Sequence, residues 1–177
     1  IGWYGFNAGS ALGVNQAAMT AALTTSVGAA AALVTWMILD IWQTGHPTLI
    51  GTCTGALCGL VGITPATGYV TSFGAVCIGV ASTLASYWFI SKIKPRLGID
   101  DTLDAFGCHG VSGIVGSVLT GVFASKTVAP GIAHAGLAYG GGWHLLLIQL
   151  AGTIIVIALV AAMVTIITSI LTPVSYT

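Results

Sequence analysis

Apolar residues run along this chain in blocks of membrane-crossing length, each closed by a short cluster of glycine, proline or polar residues. At about 1.5 Å of rise per helical residue, five blocks are long enough to cross a hydrocarbon core: residues 16–42, 48–64, 70–90, 101–124 and 143–171. A shorter apolar stretch precedes them and breaks at Phe6-Asn7-Ala8-Gly9-Ser10, so it reads as the tail of a helix whose start is missing. The connections fall at 43–47, 65–69, 91–100 and 125–142, and each holds a proline or a glycine. The pattern predicts an all-α, polytopic membrane helical bundle.

Composition removes the alternatives. Of 177 residues only four are Lys or Arg and four are Asp or Glu, against 56% hydrophobic, too few charges to keep the surface of a soluble domain wet. Net charge is zero and no basic stripe exists, so nucleic acid is excluded as a partner. Cys53, Cys58, Cys77 and Cys108 lie inside apolar runs without a CxxC pair and read as small packing residues. Lys92, Lys94 and Arg96 cluster in one connection against a single Lys126 in the loop of opposite parity. The positive-inside rule then places residues 92–100 and the C-terminus in the cytoplasm, and Ser10 and the 125–142 loop outside.

Two glycine series predict close helix packing. Gly51, Gly55, Gly59 and Gly62 fall on one helical face, and Gly107, Gly110, Gly113 and Gly116 recur at every third residue. Within the second series sits His109, behind Asp100, Asp101 and Asp104. If the helix starts at Asp101, His109 lies about 12 Å in, too deep for a surface histidine. A charged imidazole at that depth is costly, which makes His109 a functional candidate, with an imidazole satisfied by a neighbouring helix as the alternative. Asp100 and Asp101 suit capping of the helix start, as does Asp104, although it stands one turn further in. Asp40 reads as interfacial. His46, His134 and His144 lie in loops or at a span edge, so no metal site and no cofactor is expected. No serine-histidine-acid order, phosphate loop or dinucleotide fingerprint occurs, which argues against an enzyme. The opening Trp3-Tyr4-Gly5-Phe6 fits a membrane-interface aromatic belt, or a face that holds a cation.

Four stretches together resemble the second half of the ammonium transporter family, the Amt/Mep/Rh group. They are the segment from Gly2 to Ser10, Gly45-His46-Pro47-Thr48-Leu49, the run from Gly59 to Tyr69, and the run from Asp100 to Val111. The resemblance implies a fold of eleven helices in two inverted five-helix repeats around a narrow pore, assembled as a homotrimer in the cell membrane. Residues 1–177 would then be a partial domain, from the end of the sixth helix to the eleventh, with the first five helices absent.

By resemblance His109 is one of two pore histidines. Trp3 and Ser10 match an outer site that recruits ammonium, Phe6 an aromatic gate, and Ala105 and Thr64 pore-wall positions. The implied activity is ammonium or ammonia transport, with an ammonium sensor or an Rh-type neutral gas channel as alternatives. The partner histidine would come from the absent half, so this polypeptide alone is not expected to form a pore. The short ending, 171–177, lacks the long tail through which a cytoplasmic regulatory protein acts on many members.

Overall fold

The computed structural model of the chain describes residues 1–171, and the expected ending beyond Leu171 lies outside them. Seven α-helices follow in order: α1 (Gly2–Asn7), α2 (Gln16–Thr44), α3 (Leu49–Ile63), α4 (Ser72–Trp88), α5 (Lys94–Leu97), α6 (Ser112–Phe123) and α7 (His144–Leu171). Among the described residues five helical segments are long and apolar enough to cross a membrane, matching the five expected spans: Gln16–Thr44, Leu49–Ala66, Ser72–Leu97, Phe106–Phe123 and His144–Leu171.

Side-chain caps start three of the helices. Asn15, Thr48 and Thr71, all extended, accept from the amides of Ala18, Gly51 and Gly74. Gly45, at φ 85°, ends α2 in the left-handed conformation that glycine adopts at no steric cost.

Two boundaries differ from expectation. The helix of α4 does not stop near residue 90 but runs on through a π-helical stretch, Phe89–Ile93, into α5, so Lys92, Lys94 and Arg96 sit on helix and not in a loop. Pro95 stands just past that π-helical stretch, at the start of α5. Conversely, the span expected from residue 101 begins its helix only at Ala105, and continues as a second π-helical stretch, Phe106–Val111, into α6. Residues 101–104 form a turn instead, with Asp104 at φ 53°.

The helices α2, α3 and α4 pack as one layer, α6 lies on α3 and α4, and α7 lies on α6. Gly51, Gly55 and Gly59 meet α2 residues Asp40, Trp36 and Ala32, while Gly62 turns to Ser82 of α4. The second glycine series does not form one seam: Gly107 faces Ile90, Gly113 faces Val61, and Gly116 abuts the Gly62 carbonyl. Two apolar clusters fill the interior. One joins Ile63, Ala66, Val70, Ala75 and Ile78; the other joins Trp36, Cys58, Tyr87 and Cys108, with Trp36 and Tyr87 edge to face at 4.9 Å. At the end that carries Ser10, the connections are tied together by a bridge between Val70 and Ala124, by Ser125 N–H donating to the Tyr69 carbonyl (2.8 Å), and by Thr71 and Tyr139 hydroxyls at 3.0 Å. By contrast α7 is exposed along almost its whole length, with Leu146 its one buried residue.

Candidate functional site

The open side of the bundle is built by α1, the end of α3 and the second π-helical stretch. The Trp3 indole N–H donates to the Thr64 hydroxyl at 2.8 Å, and that hydroxyl donates to the Leu60 carbonyl at 2.7 Å. Thr64 therefore fixes the indole plane. Trp3 then stands between two rings, Phe6 at 6.2 Å and the His109 imidazole at 6.3 Å between centroids. These four residues line a largely apolar cavity of about 600 Å³, closed further by Val61, Pro65, Gly113 and Ser117.

His109 belongs to the π-helical stretch, a local form of helix that recurs at functional sites because its extra residue per turn re-aims side chains. The imidazole is exposed on the cavity wall, not enclosed by helices, and among the described residues no side chain hydrogen-bonds to it. Neither is it 12 Å into a helix that starts at Asp101, because the helix starts four residues later.

A second cavity, of about 510 Å³, lies toward the end that carries Ser10. Asn7, Ser10, Gln16, Tyr69 and Pro130 are among the residues that line it. Phe6 and Thr64 border both cavities. Ser10 donates to the Phe6 carbonyl at 2.7 Å, which leaves its oxygen lone pairs open to the cavity. Trp3 and Ser10, paired by resemblance, do not meet: seven residues separate them by about 10 Å along a helical path, and they face different cavities.

The acidic cluster divides its work. Asp101 is the cap, its two carboxylate oxygens accepting from the Ala105 and Phe106 amides at 2.9 Å each. Asp104 caps nothing; it pairs with the Lys94 ammonium at 2.6 Å, and Lys94 also donates to the Asp101 carbonyl. The pair joins α5 to the turn that precedes the second π-helical stretch, and beside it the Phe89 and Phe106 rings of the two stretches lie 5.2 Å apart. Ala105 is exposed at the helix start and borders neither cavity. Asp40, expected at an interface, is buried and accepts from both the amide and the hydroxyl of Thr48, at 3.1 and 2.8 Å. Among the other histidines, His46 is exposed in the α2–α3 turn, and the His134 and His144 rings lie 4.2 Å apart at the start of α7. Among the described residues no three His, Cys, Asp or Glu side chains converge as a metal site would need.

The site sits in a bundle of helices long and apolar enough to cross a membrane, with an imidazole that has no hydrogen-bond partner among the described residues on the wall of an apolar cavity. Comparisons identify the family. The model of the Ammonium Transporter Family matches residues 1–175, and the chain belongs to that family. It is 46% identical over 154 residues to an ammonium transporter of Aquifex aeolicus, covering 87% of this chain and 36% of that protein. The crystal structure of Candida albicans Mep2 superposes with a TM-score of 0.91 at 36% identity, over 99% of this chain and 39% of Mep2. A solved structure titled as a sensor Amt protein is also similar, with a TM-score of 0.75 at 34% identity over 87% of this chain and 36% of that one. The chain thus has the ammonium transporter fold and spans about a third of the length of these relatives.

Proposed function

We propose that this chain forms one wall of a pore that conducts ammonium or ammonia across the cell membrane. The observation that carries the reading is the His109 imidazole, free of hydrogen-bond partners among the described residues and facing an apolar cavity beside Trp3. Moving a bare ammonium ion into such a cavity costs of order tens of kcal/mol before polar groups relieve it. Releasing the proton first removes that cost. Ammonium enters the outer cavity, where the Ser10 oxygen accepts a hydrogen bond from it. Phe6, on the border of both cavities, shuts water out of the inner one. Neutral ammonia passes Phe6, while the imidazole, whose two nitrogens can accept and donate, takes and passes on the proton. Potassium has no proton to release and is rejected.

Trp3 acts here as the neighbour that positions His109, held in turn by Thr64, and not as a recruiting residue beside Ser10. The facing wall and a second imidazole come, on this reading, from residues outside this chain, in a subunit that assembles as a homotrimer. Lys92, Lys94, Arg96 and the C-terminal end of α7 face the cytoplasm, where a regulatory protein would act. The test is ammonium uptake by His109→Ala in the transport-competent protein: selective uptake is lost, and unchanged uptake with unchanged selectivity overturns the reading. Currents compared with net neutral flux separate an ammonium-coupled pathway from an Rh-type gas channel. The likeness to the sensor Amt protein supports a second reading, ligand binding that signals without transport, which binding without flux would reveal.

A further inference from the structure

The third span outruns the membrane. Ser72–Leu97 is a helix of 26 residues, about 39 Å long against a hydrocarbon core of about 30 Å. With the core filled from Ser72, residues 92–97 emerge into the headgroup layer. One face of this helix is packed: Ser86 and Tyr87 are buried, Ile90 meets Gly107, and Lys94 pairs with Asp104. The other face carries Leu84 (47% exposed), Trp88 (60% exposed), Lys92 and Arg96, one turn apart along a single exposed stripe. Lys92 and Arg96 flank Lys94 at two residues on either side, about 200° round the helix from it, and so lie away from Asp104. No acid is left to neutralise them. Of the chain's four, Asp40 accepts from Thr48, Asp100 from Thr102, Asp101 caps the Ala105 and Phe106 amides, and Asp104 holds Lys94. Among the described residues neither cation, nor the Trp88 indole N–H, has a hydrogen-bond or ion-pair partner.

We propose that Trp88, Lys92 and Arg96 form a binding site for the headgroup of an anionic phospholipid. Two like charges one helical turn apart repel. A phosphodiester seated between them removes that repulsion and supplies the missing counter-charge. Arg96 offers a planar fork of donors to the phosphate oxygens, and Lys92 a compact point charge. Trp88, a turn nearer the core, stands at the depth of the glycerol esters, where its indole N–H can donate to an ester oxygen and its ring covers the first acyl carbons. Leu84, one turn further in, continues the contact along the acyl chain. The stripe thus follows a phospholipid in order, from headgroup to chain, which a free phosphate could not use. A choline headgroup brings its own cation and leaves the two positive charges of the protein uncompensated, so the site prefers a lipid of net negative charge. The inference rests on these charges and exposures and not on the transport reading.

The test titrates the full chain in neutral detergent with phosphatidylglycerol, or with phosphatidylcholine of the same acyl chains, and counts bound lipids by native mass spectrometry. The expected result is tighter binding of phosphatidylglycerol by about tenfold, a preference that added salt weakens. Lys92→Gln combined with Arg96→Gln brings phosphatidylglycerol down to the level of phosphatidylcholine. Lys126→Gln, at the opposite end of the bundle, leaves the preference unchanged. Equal binding of the two lipids by the unsubstituted chain overturns the proposal, as does a preference that survives the double substitution. Displacement of the lipid by inorganic phosphate at matched concentration overturns it too, since the anion alone would then suffice. Should the double variant fail to fold, the unsubstituted chain decides: a preference that ignores salt contradicts a site built on two cations.

Discussion

The packed layer of α2, α3 and α4 and the open face built by α1, the end of α3 and the second π-helical stretch use polar groups in opposite ways. On the packed side these groups are largely satisfied. Asp40 takes two bonds from Thr48, Asn7 donates to the Thr25 hydroxyl at 3.0 Å, and the Thr25 hydroxyl donates to the Ala21 carbonyl at 2.6 Å. Buried polar groups in an apolar setting need such partners, and once paired they hold helices in register. On the open face Trp3 is held by Thr64, and that restraint ends in an imidazole left without a hydrogen bond among the described residues. Among the described residues the buried polar side chains are paired save the Ser82 and Thr83 hydroxyls of α4, while the exposed His109 imidazole faces the cavity without a hydrogen-bond partner, its nitrogens open to whatever enters.

Substitutions sharpen the contrast, beginning where the backbones touch. Gly116→Leu must force α6 off α3, because even a Cβ at that position meets the Gly62 carbonyl. Overpacking of this kind costs about 3 kcal/mol or more, and loss of the cooperative melt followed by circular dichroism is the expected outcome. The same measurement on Gly113→Ala gives the control, since its Cβ would find Val61 at an ordinary 3.8 Å and the melt should barely move. Asp40→Ala ranks next. It strands the Thr48 hydroxyl and amide and should cost about 1–3 kcal/mol in the same melt, without altering ion selectivity. Thr64→Val has the smallest effect on stability, about 1 kcal/mol, by removing the acceptor of the Trp3 indole. Its larger signature is functional: with the indole free to turn, ammonium uptake should fall severalfold. An unchanged rate would separate Trp3 from the site.

The spans were legible because hydropathy reports length and little else is needed to place a membrane helix. Four of the five expected blocks match observed helices within a few residues at their N-terminal ends, and the start of the fourth block, residues 101–124, was misplaced for a definite reason. Asp101 looks like the first residue of a helix, yet its carboxylate accepts from Ala105 and Phe106, and a residue that caps amides stands outside the helix it starts. The π-helical stretches left no mark in the hydrophobic pattern. They depend on contacts distant in sequence, Phe89 against Phe106 and Gly107 against Ile90, which no periodicity encodes. The positive cluster at Lys92, Lys94 and Arg96 signalled a loop because charge is rare inside a span, but the helix carries those residues past the apolar block.

The candidate site divides in the same manner. His109 was legible from the residues and Phe6 and Thr64 through the resemblance, and the structure brings all three to one cavity. The place of Trp3 was not. The resemblance paired it with Ser10 at an outer site, whereas depth along α1 sets it beside His109, and depth is fixed only once α1 has packed on α2. Asp40 was hidden for a related reason: the Thr48 that satisfies it lies across a turn, eight residues away.

The most direct test compares His109→Ala and Asp40→Ala side by side, each measured for ammonium uptake and for thermal unfolding. The account predicts that His109→Ala melts like the unsubstituted protein and loses selective uptake, while Asp40→Ala melts early and keeps its selectivity in the fraction that folds. A His109→Ala protein that unfolds early, or one that still takes up ammonium selectively, would place the imidazole among the groups that hold the bundle together and contradict the central claim.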